Sequence, residues 1–105
     1  MRFAEKVAIV TGVGSGLGRQ IALQFAAEGA RVAVADLDEG HARAVVDEIT
    51  AAGGRAISVR VDVSKPADVN RMTDAAVAEF GRLDILVNNA GVRVIVPFLD
   101  QRLDQ

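Results

Sequence analysis

The segment Thr11-Gly12-Val13-Gly14-Ser15-Gly16-Leu17-Gly18 decides how this 105-residue chain is read, because it sets four glycines between an apolar run and a helix-period segment. The run before it, Val7 to Thr11, is continuous in the manner of a strand buried on both faces. After it, Leu17, Ile21 and Phe25 recur at i+4 and the pattern stops at Gly29, so the spacing predicts a helix with that stripe turned inward. At such a junction an anion meets unpaired backbone N–H groups and the positive end of the helix dipole. Glycines there let a diphosphate come close to the main chain. A P-loop would close on Gly-Lys-Ser/Thr, but Gly18 is followed by Arg19 and Gln20. The GxGxxG fingerprint would need glycine at position 17 or 19, which are Leu17 and Arg19. Neither spacing fits.

Working outward, strand-length apolar runs alternate with helix-period segments, the pattern of a parallel sheet covered on both faces. A second strand spans Val32 to Ala35. The helix after it turns Ala42, Val45, Val46 and Ile49 inward and Glu39, Arg43, Asp47 and Glu48 to water, and ends at Gly53 and Gly54. A third strand runs from about Ala56 to Val61. The third helix takes Ser64 as N-cap, places Pro66 and Asp68 in its first turn, buries Val69, Met72, Ala76 and Phe80, and stops at Gly81. Leu83 to Val87 reads as the fourth strand. Only the third strand alternates, with Ile57, Val59 and Val61 against Ser58 and Arg60, which marks it as an edge. With right-handed crossovers the order is 3-2-1-4, the first half of a doubly wound α/β sheet. Beyond it Val92 to Val96 is β-prone, Pro97 interrupts, and Phe98 to Gln105 reads as an unfinished helix start.

Composition narrows the partners. Twelve basic against fourteen acidic residues give a net charge of -2 with no like-charge block, which argues against nucleic acid and anionic membrane. The N-terminus has no apolar signal region and the apolar runs are strand-sized, so a soluble, cytoplasmic protein is expected. Cysteine is absent, which excludes disulfides and thiolate chemistry. His41 is the sole histidine and reads as a solvated helix residue, so no metal site is expected. The 105 residues make one domain.

Thr-Gly, three residues, then Gly16-Leu17-Gly18 resembles the glycine motif of the short-chain dehydrogenase/reductase family. Three further motifs follow in order: Asp36 ending the second strand, Asp62-Val63 ending the third, and Asn88-Asn89-Ala90-Gly91 after the fourth. The resemblance implies a Rossmann-type fold and a nicotinamide dinucleotide cofactor. It implies Gly12, Gly16 and Gly18 beneath the diphosphate, with Ser15 and the Leu17 N–H as phosphate-side contacts. Asp36, beside Leu37, is placed to accept from the adenosine ribose. Its charge opposes a 2′-phosphate, and Val13, Gly14 and Leu37 supply no basic residue for one, so NAD is expected over NADP. The alternative for Asp36 is a helix N-cap. Asp62 is implied at the adenine amino group with Val63 against the ring, its alternative being a turn aspartate before Ser64. Asn89, Ala90 and Gly91 are implied beneath the ribose, and Asn88 within the sheet. Arg19 either touches a phosphate or is an exposed first-turn arginine.

The resemblance also implies a later catalytic serine, a Tyr-x-x-x-Lys pair and a helical asparagine. No residue here matches them: tyrosine is absent and Lys6 and Lys65 lie upstream, so no catalytic residue is assigned and the chain alone is expected to be inactive. The reading is therefore a truncated, incomplete dinucleotide-binding domain of an oxidoreductase. A stand-alone regulatory nucleotide-binding protein is one alternative. A methyltransferase is another, suggested by Gly12-Val13-Gly14-Ser15-Gly16 but opposed by Val10 where its carboxylate belongs. Because the fourth strand would have an unpaired apolar edge in this order, edge-to-edge self-association is expected, in preference to Val92 to Val96 folding back onto it.

Overall fold

The computed structural model describes residues 3–89 and the backbone of Arg93–Ile95. The elements are β1 Val7–Thr11, α1 Gly16–Ala27, β2 Arg31–Asp36, α2 Glu39–Ala51, β3 Arg55–Arg60, α3 Pro66–Phe80, β4 Ile85–Asn88 and β5 Arg93–Ile95. They form one sheet of order β3-β2-β1-β4-β5. The pairs β1–β2, β2–β3 and β1–β4 are parallel, as expected, and β3 is the edge.

The two faces of the sheet bury different residues, which follows from the twofold alternation of side chains along a strand. Val10, Val32 and Val34 pack with Ala22, Ala42, Val45 and Ile49 under α1 and α2. Ile9, Ala33, Ala35 and Val59 pack with Met72 and Ala76 under α3. Small alanines on β2 thus face α3, while valines face the other pair of helices. Every residue of β1 is buried, accounting for its unbroken apolar run.

Four expectations and one alternative are corrected. Leu17 does not join the α1 stripe; it is 54% exposed, and α1 buries Gly18 and Ala22, with Ile21 and Phe25 half-buried. The N-cap of α3 is Lys65, without a side-chain bond, because Ser64 turns its hydroxyl to Asp62. The fourth strand starts at Ile85, since Asp84 is buried at the foot of β1, where it accepts from the Val7 N–H at 2.8 Å and pairs with Arg82. Asp36 does not cap α2; Asp38 does, accepting from the Gly40 and His41 N–H groups. The edge of β4 is not left open: β5 pairs with it antiparallel, Leu86 opposite Ile95 and Asn88 opposite Arg93. That pairing removes the ground for self-association through β4, and the short strand falls inside the β-prone stretch. The expected helix start at Phe98 to Gln105 lies outside the described residues.

Candidate functional site: the carboxyl ends of the strands

The parallel register brings Thr11 level with Ala35 and Asp36 level with Arg60, so the ends of β1, β2 and β3 open onto one rim of the sheet. The glycine loop begins there. Gly12 donates to the Ala35 carbonyl at 2.9 Å and turns the chain with a φ of 69°, a left-handed conformation that favours glycine. A Cβ at Gly18 would fall onto the Gly12 carbonyl, so α1 can approach the loop this closely only with hydrogen there. A Cβ at Gly16 would meet nothing within 4 Å, which leaves the head of α1 open to solvent. The first turn of α1 contains no acidic side chain, whereas those of α2 and α3 contain Glu39 and Asp68. Of the three helix heads, that of α1 therefore has its dipole uncompensated and its N–H end unobstructed, the two conditions for receiving an anion.

The loop is held in place by side chains at its own ends. The Ser15 hydroxyl caps α1 by accepting from the Gly18 N–H at 3.1 Å, and it donates to the Gly12 carbonyl at 3.0 Å. Asn89 Nδ2 donates to the same carbonyl at 3.2 Å and to Ser15 Oγ at 2.8 Å. The Asn89 N–H in turn donates to Thr11 Oγ1, whose hydroxyl donates to Asn88 Oδ1 at 3.2 Å. With one donated and two accepted bonds the Ser15 hydroxyl is saturated, so its role in this conformation is to hold the loop. Thr11, buried at the end of β1, is a tie that the sequence reading missed. Its signal was the position immediately before Gly12.

Asp36 ends β2 with Oδ2 accepting from the Gly14 N–H at 2.7 Å and Oδ1 from the Asp38 N–H at 2.9 Å. A carboxylate oxygen has room for a second donor, so both can still accept from a hydroxyl. Across the rim, Asp62 Oδ1 accepts from the Ser64 hydroxyl at 2.6 Å and the Ser64 N–H at 3.0 Å. These bonds, the hydroxyl first, hold its carboxyl below the usual range. The turn-aspartate geometry is therefore present at Asp62. Thr11, Gly12, Asp36, Leu37, Val61, Asp62 and Val63 line a cleft of about 190 Å³. Among the described residues the exposed large hydrophobics are Leu17, Leu37 and Val63, at 54%, 58% and 39%; all three stand at this rim, Leu17 in the first turn of α1 and the other two in the loops after β2 and β3.

Two larger hollows, of about 320 and 420 Å³, lie by the C-terminal ends of α1 and α2, around Ala26, Ala52 and Gly54. The smaller is bounded by helix C-termini, which present carbonyls and the negative end of the dipole; the larger also takes in Arg31 and Arg55, whose guanidiniums lie over the Phe80 ring. Arg19 is not aimed at the loop: its guanidinium makes a two-point pair with Glu48 of α2, which holds the Glu48 carboxyl below its ordinary range. Ala90 and Gly91 lie outside the described residues. The structure thus brings Gly12, Ser15, Gly16, Leu17, Gly18, Asp36, Leu37, Asp62, Val63 and Asn89 to one rim. No cluster of metal-ligating residues occurs among the described residues, and no helix among them is long and apolar enough to cross a membrane.

The family model of the short chain dehydrogenases matches residues 6–105. The chain belongs to the short chain dehydrogenase family. It is 44% identical over 91 residues to the 7alpha-hydroxysteroid dehydrogenase of Escherichia coli K12, covering 87% of this chain and 36% of that protein. It is 42% identical over 106 residues to the meso-2,3-butanediol dehydrogenase of Serratia marcescens, covering 99% and 41%. A crystal structure of hydroxysteroid dehydrogenase from Escherichia coli superposes with a TM-score of 0.81 at 42% identity, over 83% of this chain and 37% of that one. The chain thus spans less than half the length of these relatives, and it corresponds to the nicotinamide-dinucleotide-binding portion of a family of oxidoreductases. The open, uncompensated head of α1, the apolar walls at Leu37 and Val63 and the Asp36 carboxylate fit such a cofactor.

Proposed function

We propose that this chain supplies the cofactor half of an NAD-dependent oxidoreductase that moves a hydride between an alcohol or carbonyl substrate and the nicotinamide ring. The bound cofactor provides the hydride acceptor or donor; what the residues here do is hold the adenosine end. In this reading the diphosphate lies over Gly16 against the N–H groups of Leu17 and Gly18, with Gly12 and Ser15 shaping the loop beneath it. Adenine enters the cleft between Leu37 and Val63, and the second oxygen of Asp62 meets its amino group. Asn89 lies beneath the ribose.

The observation that carries the proposal is Asp36. It stands at the end of β2 without the capping duty that Asp38 performs, fixed by two backbone N–H groups and able to accept from a ribose hydroxyl. A 2′-phosphate in the same place would set two anions together, so NAD is preferred to NADP. The catalytic acid or base is not among the residues assigned, and the isolated chain binds NAD without turning it over. Chemical-shift mapping of the labelled chain tests the site: NAD moves the amide signals of residues 12–18 and 36–37, whereas perturbation centred on the hollow at Ala26 and Ala52 overturns it.

A further inference from the structure

His41 is an exposed residue of α2, as expected, but its ring stands beside two carboxylates and the glycine loop. His41 is the third residue of α2, and the Asp38 cap directs its side chain back toward the end of β2. Nδ1 stands 3.7 Å from Asp36 Oδ1, and Nε2 stands 3.9 Å from Asp38 Oδ2. The Asp36 side chain is only 12% exposed, although it ends a strand at an open rim, while His41 is 57% exposed. The ring also lies against the glycine loop, because a Cβ on Gly14 would collide with Nδ1 and crowd Asp36 Oδ2. Gly14, which neither the turn nor the helix contact at Gly18 explains, is thus the residue that leaves room for the imidazole. Loop, strand and helix each contribute one member of this cluster: Gly14, Asp36 and His41.

We propose that His41 is a second determinant of which dinucleotide the site accepts, walling the 2′ side of the adenosine ribose and admitting a 2′-phosphate only when the ring is protonated. This rests on the reading of Asp36 as the ribose carboxylate. The charged groups facing the ring are Asp36 from β2 and Asp38 from the head of α2, with Glu39 beside it on its own helix; the loop opposite presents Gly14, which carries no charge. A neutral ring leaves the carboxylates to repel a phosphate. Histidine is the side chain whose charge changes between roughly pH 5 and 8, and the cation would both offset Asp36 and donate to the phosphate. The site therefore discriminates strongly against NADP in alkaline solution and weakly in mildly acidic solution.

His41 is the only histidine of the chain, so its ring protons give isolated NMR signals. NAD and NADP are titrated separately into the chain and into His41→Ala and His41→Gln at several pH values, following those signals, the loop amides and both dissociation constants. The expected result is that both dinucleotides move the His41 ring signals. The preference for NAD is expected to shrink by about tenfold or more from alkaline to mildly acidic pH, the worth of one hydrogen bond between charged groups. Both variants are expected to keep only the shallower pH course that the 2′-phosphate itself gives, since its second ionisation falls at about pH 6. If NAD moves the amides of residues 12–18 but native chain and variants share one pH course, His41 has no such role. If neither dinucleotide moves those amides, the ribose reading itself falls and takes this inference with it.

Discussion

Replacing Gly16 and Gly18 by alanine, one at a time, separates a glycine kept for ligand from a glycine kept for packing. At Gly16 an added Cβ meets nothing within 4 Å and the backbone is not left-handed, so alanine costs nothing in the folded state and restricts the unfolded chain. Such changes stabilise by about 0.4–1 kcal/mol, which raises Tm by roughly 2–8 °C in a domain of this size. The same methyl stands where the diphosphate would lie, so NAD affinity falls by about tenfold or more, equivalent to about 1.4 kcal/mol. At Gly18 the methyl lands on the Gly12 carbonyl, a main-chain atom held by Ser15 and Asn89, and cannot be relieved by a side-chain rotation. Overpacking of that kind costs about 1–3 kcal/mol, and helix propensity returns at most about 1. Melting curves without ligand, followed by calorimetric titration with NAD, compare the two variants. A Gly16→Ala chain that melts lower than native, or that binds NAD as native does, refutes the assignment of the α1 head as the phosphate site.

Other expectations follow from the ties around the loop and from its carboxylates. Asn89→Ala removes two hydrogen bonds at a half-exposed site and is expected to cost about 1–2 kcal/mol, lowering Tm by roughly 4–16 °C; an unchanged melt would show that the loop holds its shape alone. The carboxyls of Asp62 and Asp68 are held low by the Ser64 hydroxyl and the Asp62 N–H respectively. A depressed folded pKa contributes stability above the unfolded value, about 4, and that contribution is lost as pH falls through the folded one. Tm is therefore expected to be level near neutrality and to fall below about pH 4, less steeply in Asp68→Asn; identical acid limbs for the two chains would remove Asp68 from the account.

Most of the sheet was legible because a strand buried on both faces must be apolar throughout, and β1 and β2 are so. The edge position of β3 came from Ser58 and Arg60 for the converse reason. What escaped was local. Leu17 fits the helical stripe by spacing, yet the first turn of α1 lies over the rim and not over the sheet. Ser64 and Lys65 compete for the head of α3, and the nearby Asp62 carboxylate draws the Ser64 hydroxyl away. The pairing of β5 with β4 is not specified by the β propensity of Val92 to Val96. At the site, the glycine spacing and Asp36 could be read directly, whereas His41 could not, since its place depends on Asp38 capping α2 and on the missing side chain at Gly14.

The central claim, that Asp36 selects NAD at the carboxyl ends of β1 and β2, is tested most directly by calorimetric titration of NAD and NADP into the native chain and Asp36→Ala. Loss of a charged acceptor is expected to weaken NAD binding by about 1.5–3 kcal/mol, roughly tenfold to 150-fold, while NADP binding falls less or strengthens. Equal losses for the two cofactors, or no binding of NAD by the native chain, would contradict it.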